Sequence, residues 1–266
     1  MIDANKPLSI AEIKKVLQTI TDPSDERLDA FRLDSRKGAL TALNSWERKI
    51  EKQQLKEMKL QEMLVYEKRA WSHGKKLVAG IDEVGRGPLA GPVVSAAVIL
   101  PKDFNVIGIN DSKQLSLAKR EELFEVIQSE ALAIGIGIKD TTVIDQVNIY
   151  EASKLAMIEA VEQLEVQPDH LLIDAMKLPL SFPQESIIKG DAKSVSIAAA
   201  SIIAKVTRDR MMEEYDSIYP GYGFSKNAGY GTKEHLNGLD QLGVTPIHRH
   251  SFAPVREAYR QQHSSL

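Results

Sequence analysis

The spacing of hydrophobic residues predicts a helical segment at the N-terminus. Across residues 9–69, apolar side chains recur every three or four positions, as on the buried face of an amphipathic helix. Ser9 followed by Glu12 has the capping-box pattern that begins a helix. The TDPSDERL stretch interrupts this pattern and predicts a second helix beginning near residues 23–24. A third helix is predicted from about residue 34 to residue 69.

After the WSHGKK stretch, at residues 71–76, the pattern changes to short apolar runs that alternate with helical patterns. The predicted strands are residues 77–82, 93–100, 131–139, 170–174 and 186–189. The predicted helices between and after them are residues 112–129, 143–165 and 195–219. This order predicts an α/β fold with a sheet of mixed strand directions. The expected domains are an all-helical extension, residues 1–72, and an α/β domain with a helical C-terminal region, residues 73–266.

Composition narrows the possible functions. The 266 residues include no cysteine, which excludes disulfides and thiolate metal sites and favours the cytoplasm. The N-terminus MIDANKPLSI has no signal-peptide pattern, and no run approaches the roughly 20 apolar residues of a membrane span. A formal charge of -3 argues weakly against nucleic-acid binding. Residues 1–70, however, carry 14 basic and 12 acidic side chains. The extension is therefore either a solvated helical appendage or an arm that binds a partner or nucleic acid.

Acidic residues follow three of the predicted strands. Asp82 and Glu83 end the first, Asp174 ends the fourth, and Asp191 follows the fifth after one glycine. Adjacent acids alone would suit a solvated turn, but the ends of parallel strands meet at one edge of a sheet, where ligands bind. Clustered carboxylates repel one another unless a cation neutralises them, and oxygen ligands favour Mg²⁺ or Mn²⁺. A pair of such ions suits in-line displacement at phosphorus. Because neighbouring strand residues face opposite ways, Asp82 and Glu83 can share a site only where the strand ends or twists.

Gly85-Arg86-Gly87-Pro-Leu-Ala formally fits the G-x-G-x-x-A pattern of a dinucleotide-binding loop. That pattern requires a helix to follow, with its N-terminus at the pyrophosphate. Here two prolines and a β-branched run follow, which predicts a turn into an antiparallel strand. Dinucleotide binding is therefore disfavoured.

Six motifs together resemble the ordered motif series of the bacterial ribonuclease HII family. They are AGIDEVGRGPLAGPVVSAAVIL, NDSKQLS, LLIDAMKLPL, KGDAKSVSIAAASIIAKVTRDR, GYGTKEHL and HRHSF. The resemblance spans about residues 76–255. The N-terminal segment resembles the helical extension of Gram-positive-type members, which the short members lack.

This resemblance implies an RNase H-like fold with a central five-stranded mixed sheet flanked by helices. It implies Mg²⁺- or Mn²⁺-dependent endonucleolytic cutting of RNA in RNA–DNA hybrids, and incision 5′ to a single ribonucleotide in duplex DNA. The catalytic and metal-binding acids of the family fall on Asp82, Glu83, Asp174 and Asp191. The backbone-reading motif falls on Gly85, Arg86 and Gly87, and the junction-sensing tyrosine falls on Tyr230.

The chemistry of RNA recognition suits these substrate-binding candidates. Only the 2′-hydroxyl distinguishes RNA from DNA at the sugar, and glycine allows the backbone to approach it closely. Arg86 would contact phosphate or form a structural ion pair, and Lys113 would contact phosphate or lie on a helix surface. Tyr230 would stack on a sugar, bond the hydroxyl, or anchor its loop. The late histidines, His235, His248 and His250, are expected to be structural or near the substrate.

The leading hypothesis is a monomeric cytoplasmic two-metal endoribonuclease that leaves 5′-phosphate and 3′-hydroxyl ends. A second hypothesis is a hybrid-binding scaffold in which the helical extension is the working part. A third is a metal phosphohydrolase for small phosphate esters, although no sequence feature indicates a closed small-molecule pocket.

Overall fold

The computed structural model describes residues 8–264, with side chains described through residue 261. The chain contacts divide into two units, Met1–Gln61 and Glu62–Leu266. The helices are α1 (Ile10–Leu17), α2 (Arg27–Arg32), α3 (Lys37–Met63), α4 (Val65–Ser72), α5 (Leu117–Glu130), α6 (Thr141–Val147), α7 (Ile149–Glu162), α8 (Val195–Ile218), α9 (Phe224–Asn227), α10 (Lys233–Leu242) and α11 (Ala253–Ser264). The strands are β1 (Val78–Val84), β2 (Val93–Ile99), β3 (Ala133–Lys139), β4 (His170–Asp174) and β5 (Gln184–Ile187). None of the helices in the described residues is both long enough and apolar enough to cross a membrane.

The first unit has its own hydrophobic core, formed by α1, α2 and α3. Its buried side chains are Ile13, Leu17, Ile20, Leu28, Phe31, Ala39, Ala42, Leu43 and Trp46. The Trp46 indole donates a hydrogen bond to the carbonyl of Ile20 at 3.0 Å, which fixes the end of α1 against α3. The predicted capping box of Ser9 and Glu12 is confirmed, with both reciprocal hydrogen bonds formed. The apolar spacing in the sequence therefore corresponds to a packed helical unit.

The second unit contains a five-stranded sheet in the order β3-β2-β1-β4-β5. The pairs β3·β2 and β2·β1 are antiparallel, and β1·β4 and β4·β5 are parallel. The predicted mixed sheet is confirmed, and each strand bound lies within two residues of its predicted position. The turn after Gly87 leads into an antiparallel strand and not a helix, as the sequence predicts.

Helices cover both faces of this sheet. On one face, Ala79 and Ile81 of β1 pack with Met157 of α7. On the other face, Val78 packs with Ile197 of α8. A Cβ at Gly80 would lie 2.0 Å from the backbone carbon of Ser196, so glycine is required where α8 crosses β1. The beginning of α8 therefore contacts β1 at Gly80, which is two residues before Asp82.

The outer strand β3 is held by α7. The backbone N–H of Ile138 donates to a carboxylate oxygen of Glu159 at 2.8 Å, and Lys139 pairs with the same oxygen at 3.1 Å. Gly135 and Gly137 lie so close to α7 that a Cβ would approach the carbonyl oxygens of that helix to about 2 Å. The side chain of Glu159 thus accepts a hydrogen bond from the backbone N–H of Ile138 on the outer strand β3.

Two predicted helices are each divided. The predicted helix over residues 34–69 ends at Met63, Leu64 leaves the helical conformation, and α4 follows. The predicted helix over residues 143–165 is α6 and α7, separated by Asn148 at φ 73°. The Asn148 side chain accepts hydrogen bonds from the N–H groups of Tyr150 and Glu151 and so begins α7.

The predicted helix over residues 112–129 starts later than expected. Residues Ser112–Gln114 form a 3₁₀ turn capped by Asp111, whose side chain accepts from the N–H of Lys113. The α-helix α5 then begins after Ser116, which is its N-cap. Lys113 therefore lies in the turn and not on the first turn of the α-helix.

Candidate active site

Two of the predicted acids follow directly after the last residues that pair between β1 and β4. The β1·β4 pairing ends with Ile81 opposite Ile173, so Asp82 and Asp174 come directly after it. Ligand oxygens of Asp82, Glu83 and Asp174 all lie within 4.8 Å of one another. The parallel strand ends thus bring three of the four predicted acids together.

Glu83 joins this group although β1 does not end at Asp82. The strand continues to Val84 in its pairing with β2, contrary to the expected strand end. On the side facing β4, β1 has no pairing partner beyond Ile81. This leaves space at the carboxyl ends of the two strands. The N–H of Glu83 donates to Oδ1 of Asp82 at 2.8 Å. One-sided loss of pairing allows neighbouring strand residues to share a site.

Asp191 lies beside this group and outside the 4.8 Å set. It belongs to the 3₁₀ turn Gly190–Ala192, preceded by Lys189 in the left-handed conformation at φ 57°. The N–H of Gly190 donates to Oδ1 of Asp174 at 2.6 Å. The turn that carries Asp191 is therefore hydrogen-bonded directly to the cluster.

The cluster is electrostatically unfavourable without a cation. Burial, followed by the charges of Glu83 and Asp174, raises the pKa of Asp82 well above its ordinary value. Burial also raises the pKa of Glu83 to about 7, although Arg86 opposes the shift. Burial raises the pKa of Asp191 as well. Carboxylates in this arrangement hold protons more tightly than carboxylates in water.

The donor set fits a divalent cation. It consists of carboxylate oxygens alone, which are the ligands that Mg²⁺ and Mn²⁺ prefer. Among the described residues, Oε2 of Glu83 is buried and has no hydrogen-bond partner. A cation between Asp82, Glu83 and Asp174 would supply that partner and offset the repulsion.

The glycine-arginine-glycine loop is held from beneath by Arg249. Its guanidinium donates to the carbonyls of Gly85 at 2.5 Å, Arg86 at 3.1 Å and Gly91 at 2.8 Å. A second buried arginine, Arg208, donates to the carbonyl of Pro92 at 2.8 Å. The carbonyls of this loop therefore point toward the buried arginines and accept their hydrogen bonds.

Both arginines are completely buried and form no ion pair in the part of the chain that the structure describes. Burial lowers the pKa of Arg208 to about 10 and that of Arg249 to about 9. Each remains protonated at neutral pH. Among the described residues, the hydrogen bonds of both guanidinium groups go to backbone carbonyls.

The substrate-binding candidates lie around this loop. Gly85 has φ 93°, and a Cβ there would lie 2.3 Å from Nε of Arg208, so the fold itself requires glycine. A Cβ on Gly87 would lie 3.2 Å from a ring carbon of Tyr230, whose side chain is exposed. Arg86 is 3.4 Å from Glu83, in the ion pair that the sequence left as one alternative.

Lys113 faces the acids. Partial burial disfavours its charged form, but Asp82, Asp111 and Asp191 outweigh burial and raise the pKa of Lys113. Ser112, beside it, shares a 2.9 Å hydrogen bond with Ser201 of α8, and the Ser201 hydroxyl lowers the pKa of Asp82. The 3₁₀ turn is thereby connected to the cluster.

A pair of buried histidines supports the loop of Tyr230. The N–H of Thr245 donates to Nδ1 of His248 at 2.9 Å, so the proton of His248 is on Nε2. Nε2 of His248 lies 2.9 Å from Nε2 of His235, whose Nδ1 lies 3.0 Å from the carbonyl of Tyr230. His235 must therefore accept at Nε2 and donate from Nδ1, and both rings are neutral. His250 lies outside this pair, against the ring of Tyr259.

Sequence reasoning assigned no role to Arg208 or Arg249. Arg249 lies in the quoted HRHSF motif and Arg208 in the TRDR stretch, but nothing in either motif distinguishes a buried arginine from a surface one. For these histidines the sequence predicts a structural or substrate-near position and does not identify their partners. Only the three-dimensional contacts reveal these supports.

Two family models match the chain. The model described as Ribonuclease HII matches residues 79–255, and the model described as Ribonuclease HII N-terminal domain matches residues 9–71. The ribonuclease HII of Enterococcus faecalis is 60% identical over 249 residues, which cover 94% of this chain and 98% of that protein. The ribonuclease HII of Listeria monocytogenes serotype 4a is 59% identical over 250 residues, which cover 94% of this chain and 96% of that protein.

A solved structure has the same sheet and helix arrangement. The crystal structure of the ribonuclease H2 from Pyrococcus horikoshii OT3 aligns with a TM-score of 0.60 at 28% identity. The alignment covers 70% of this chain and 98% of that one. The second unit therefore has the RNase H-like fold that the sequence motifs implied.

Proposed function

Because the chain belongs to the ribonuclease HII family, we propose that it incises duplex DNA 5′ to a single embedded ribonucleotide and leaves 5′-phosphate and 3′-hydroxyl ends. Family membership makes it a type 2 ribonuclease H, an endoribonuclease. The observation that carries the proposal is the convergence of Asp82, Glu83 and Asp174 within 4.8 Å, beside the loop that contacts Tyr230. This arrangement combines an oxygen-ligand metal site with a backbone surface for a sugar.

Asp82, Glu83 and Asp174 would hold the divalent cations, Mn²⁺ or Mg²⁺, with Asp191 completing the set. When bound, such cations activate water and stabilise the leaving oxygen of a phosphodiester. The residues of the chain fix the geometry for this chemistry, since Gly190 orients Asp174 and the Glu83 backbone orients Asp82. Lys113, whose ammonium faces the acids, is suited to hold a phosphate at the edge of the cluster.

Selection of the ribonucleotide is assigned to Gly85, Arg86, Gly87 and Tyr230. With the carbonyls of Gly85 and Arg86 already bonded to Arg249, the loop presents its N–H groups as the donors for a 2′-hydroxyl or a phosphate oxygen. Gly87 lies against the exposed ring of Tyr230. A sugar bound between Gly87 and Tyr230 would place its 2′-hydroxyl against the loop backbone, where a Cβ on residue 87 would obstruct it.

The extension is proposed as a supplementary contact surface for the duplex. A groove of about 1040 Å³ in the first unit is lined mostly by apolar and uncharged residues, and its charged lining residues are Lys14, Lys37, Lys49 and Glu57. Three ammonium groups along one groove suit the phosphates of a nucleic-acid backbone. The enzyme is further proposed to act as a monomer in the cytoplasm.

The proposed function is tested with three matched duplexes: one with a single ribonucleotide, an all-DNA control, and an RNA–DNA hybrid. Incubation with Mn²⁺ or Mg²⁺ should give incision 5′ to the ribonucleotide. A DNA ligase should reseal this product as it reseals a control nick with the same 5′-phosphate and 3′-hydroxyl ends in an otherwise identical all-DNA duplex. Asp82→Asn should abolish incision, and chelation of the cation should do the same. Absence of incision at the ribonucleotide, or equal cutting of the all-DNA duplex, would refute the proposal. Turnover of a nitrophenyl phosphate ester instead would favour a small-ester phosphohydrolase.

A further inference from the structure

Glu67 is a buried carboxylate on α4, outside the cluster of acids. Its side chain is 1% exposed. Oε1 accepts a hydrogen bond from the hydroxyl of Ser194 at 2.6 Å and from the N–H of Ser196 at 2.9 Å. Ser194 is the N-cap of α8, so Glu67 satisfies donors that would otherwise be free at the beginning of a 24-residue helix.

A short series of hydrogen bonds connects this contact to the cluster. The N–H of Ser194 donates to the carbonyl of Gly190 at 2.8 Å. The N–H of Gly190 in turn donates to Oδ1 of Asp174 at 2.6 Å. Asp191 follows Gly190 in the same turn. Glu67 is thus three hydrogen bonds from a proposed metal ligand.

The same helix contacts Asp82. Ser201, about two turns along α8 from its beginning, lies close enough to Asp82 to lower its pKa. Gly80 lies against the backbone of Ser196, with no room for a Cβ. Displacement of the beginning of α8 would therefore move the supports of Asp82 and Asp174 together.

Only one of the two carboxylate oxygens of Glu67 has hydrogen-bond partners. The second oxygen, Oε2, is buried and has no hydrogen-bond partner among the described residues. A buried polar atom without a partner costs on the order of 1–3 kcal/mol, which opposes the stabilisation from the two hydrogen bonds that Oε1 accepts. Burial accordingly raises the pKa of Glu67.

We propose that Glu67 is a positioning residue for the metal site, holding the beginning of α8 so that Gly190 and Ser201 keep Asp174 and Asp82 in register. The proposal rests on the proposed metal-dependent function. It assigns α4, which the sequence analysis placed in the extension, a role in the geometry of the catalytic unit. Substituting a group hydrogen-bonded directly to a metal ligand typically costs about 10–100-fold in metal affinity or activity, and for Glu67, which acts through two further hydrogen bonds, we expect the lower end of that range.

The test uses full-length Glu67→Ala, Glu67→Gln and, as a matched control, Glu62→Gln at an exposed glutamate. Mn²⁺ binding is measured by electron paramagnetic resonance without nucleic acid, and kcat and KM are measured on the single-ribonucleotide duplex. Glu67→Ala should weaken Mn²⁺ binding and lower kcat by about tenfold, with KM within about twofold, because the duplex-binding loop is untouched. Glu67→Gln keeps an oxygen acceptor for Ser194 and should remain within about threefold in both quantities.

Circular dichroism identifies a variant that fails to fold. In that case Glu67→Asp, which is one methylene too short to keep both hydrogen bonds, replaces Glu67→Ala and should weaken Mn²⁺ binding in the same direction. Wild-type Mn²⁺ affinity and kcat in the folded variant would overturn the positioning role, as would an equal loss in Glu62→Gln. Wild-type protein that binds no Mn²⁺ would instead overturn the metal-dependent function on which the proposal rests.

Discussion

Asp82 is surrounded by other acids in a part of the sheet from which water is largely excluded. Burial and the charges of Glu83 and Asp174 raise its pKa, and the neighbouring Ser201 hydroxyl only partly offsets this effect. A side chain retained under such repulsion lowers the stability of the metal-free protein. Its presence is explained by the cation that the cluster would bind.

Asp82→Asn should therefore stabilise the metal-free protein while abolishing incision. The amide removes a charge with little change in volume and can donate to the neighbouring carboxylates. A gain of about 1 kcal/mol would raise the unfolding temperature by about 2–4 °C in a protein of this size. Differential scanning calorimetry with and without Mn²⁺ measures this gain. A metal-free variant that melts below the wild type would contradict the explanation.

Arg249→Lys should destabilise the protein although it conserves the charge. A lysine ammonium cannot reproduce the fork that bonds Gly85, Arg86 and Gly91. Carbonyls left without partners should lower the free energy of unfolding by about 2–4 kcal/mol. Urea unfolding measures the loss, and KM for the duplex should rise because the loop is no longer held.

The matched control for this prediction is Arg210→Lys. Arg210 is about half exposed and pairs with Glu121 and Glu125 at the surface. Surface ion pairs contribute about 0–1 kcal/mol, so this substitution should be close to neutral. Equal losses in the two variants would show that the buried fork has no special role.

The acids could be found from the sequence because strand ends are recognisable and parallel neighbours share an edge. Asp82 and Asp174 meet for that reason. Arg208, Arg249 and Glu67 could not be found, because a charged residue type indicates a surface position unless its partners are known. Their partners are backbone carbonyls and cap groups far away in the chain, which no local pattern reveals.

Helix α10 and the loop before it are joined by the neutral histidine pair. The carbonyl of Tyr230, in the loop, accepts from His235 on α10, and His235 accepts from His248 beyond the helix. Burial, followed by the neighbouring imidazole of His235, lowers the pKa of His248 to about 3. A proton on either ring would remove an acceptor from this chain of hydrogen bonds.

His248 should make the protein sensitive to acid. Its pKa is about 6.5 when unfolded and lower when folded, so its stabilisation is complete above pH 6.5 and is lost as pH falls toward 3. Between pH 7.5 and 5.5 the loss should be about 1.4 kcal/mol more in the wild type than in His248→Gln. Urea unfolding at these two pH values measures the difference. The same pH dependence in both proteins would contradict the assignment of neutral rings.

Helix boundaries were the least predictable feature of the elements. The break at Asn148 depends on a left-handed backbone conformation, and helical periodicity continues across it in the sequence. The break at Leu64 likewise leaves the apolar pattern intact. Strand positions were predicted more closely, because their apolar runs are bounded by glycine, proline and charged residues.

The boundary between the two units separates the proposed duplex-binding arm from helix α4, which carries Glu67. The contacts divide after Gln61, whereas the predicted domain boundary lay at residue 72. Helix α4 packs through Tyr66, Ala70 and Trp71 on the sheet of the second unit. Removal of residues 1–70 would therefore remove Glu67 together with the proposed duplex-binding arm.

Deletions ending at residue 61 and at residue 72 should have different effects. Without residues 1–61, KM for the duplex should rise several-fold through lost phosphate contacts, with kcat within about twofold of the full chain. Without residues 1–72, kcat should also fall by about tenfold, because Glu67 is lost. Steady-state kinetics on the single-ribonucleotide duplex distinguishes the two effects. Equal kcat in both truncated proteins would separate α4 from catalysis.

The contact between Glu159 and β3 has a consequence for the protein in concentrated solution. A free strand edge is a template on which a second copy of the chain can add a strand, and the sequence AIGIGIK, with no acidic residue and no proline, is prone to such pairing. By occupying the N–H of Ile138 and holding Lys139 beside it, Glu159 interrupts the ladder that an incoming strand would need. A second copy that added a strand at this edge would therefore have to displace the Glu159 carboxylate first.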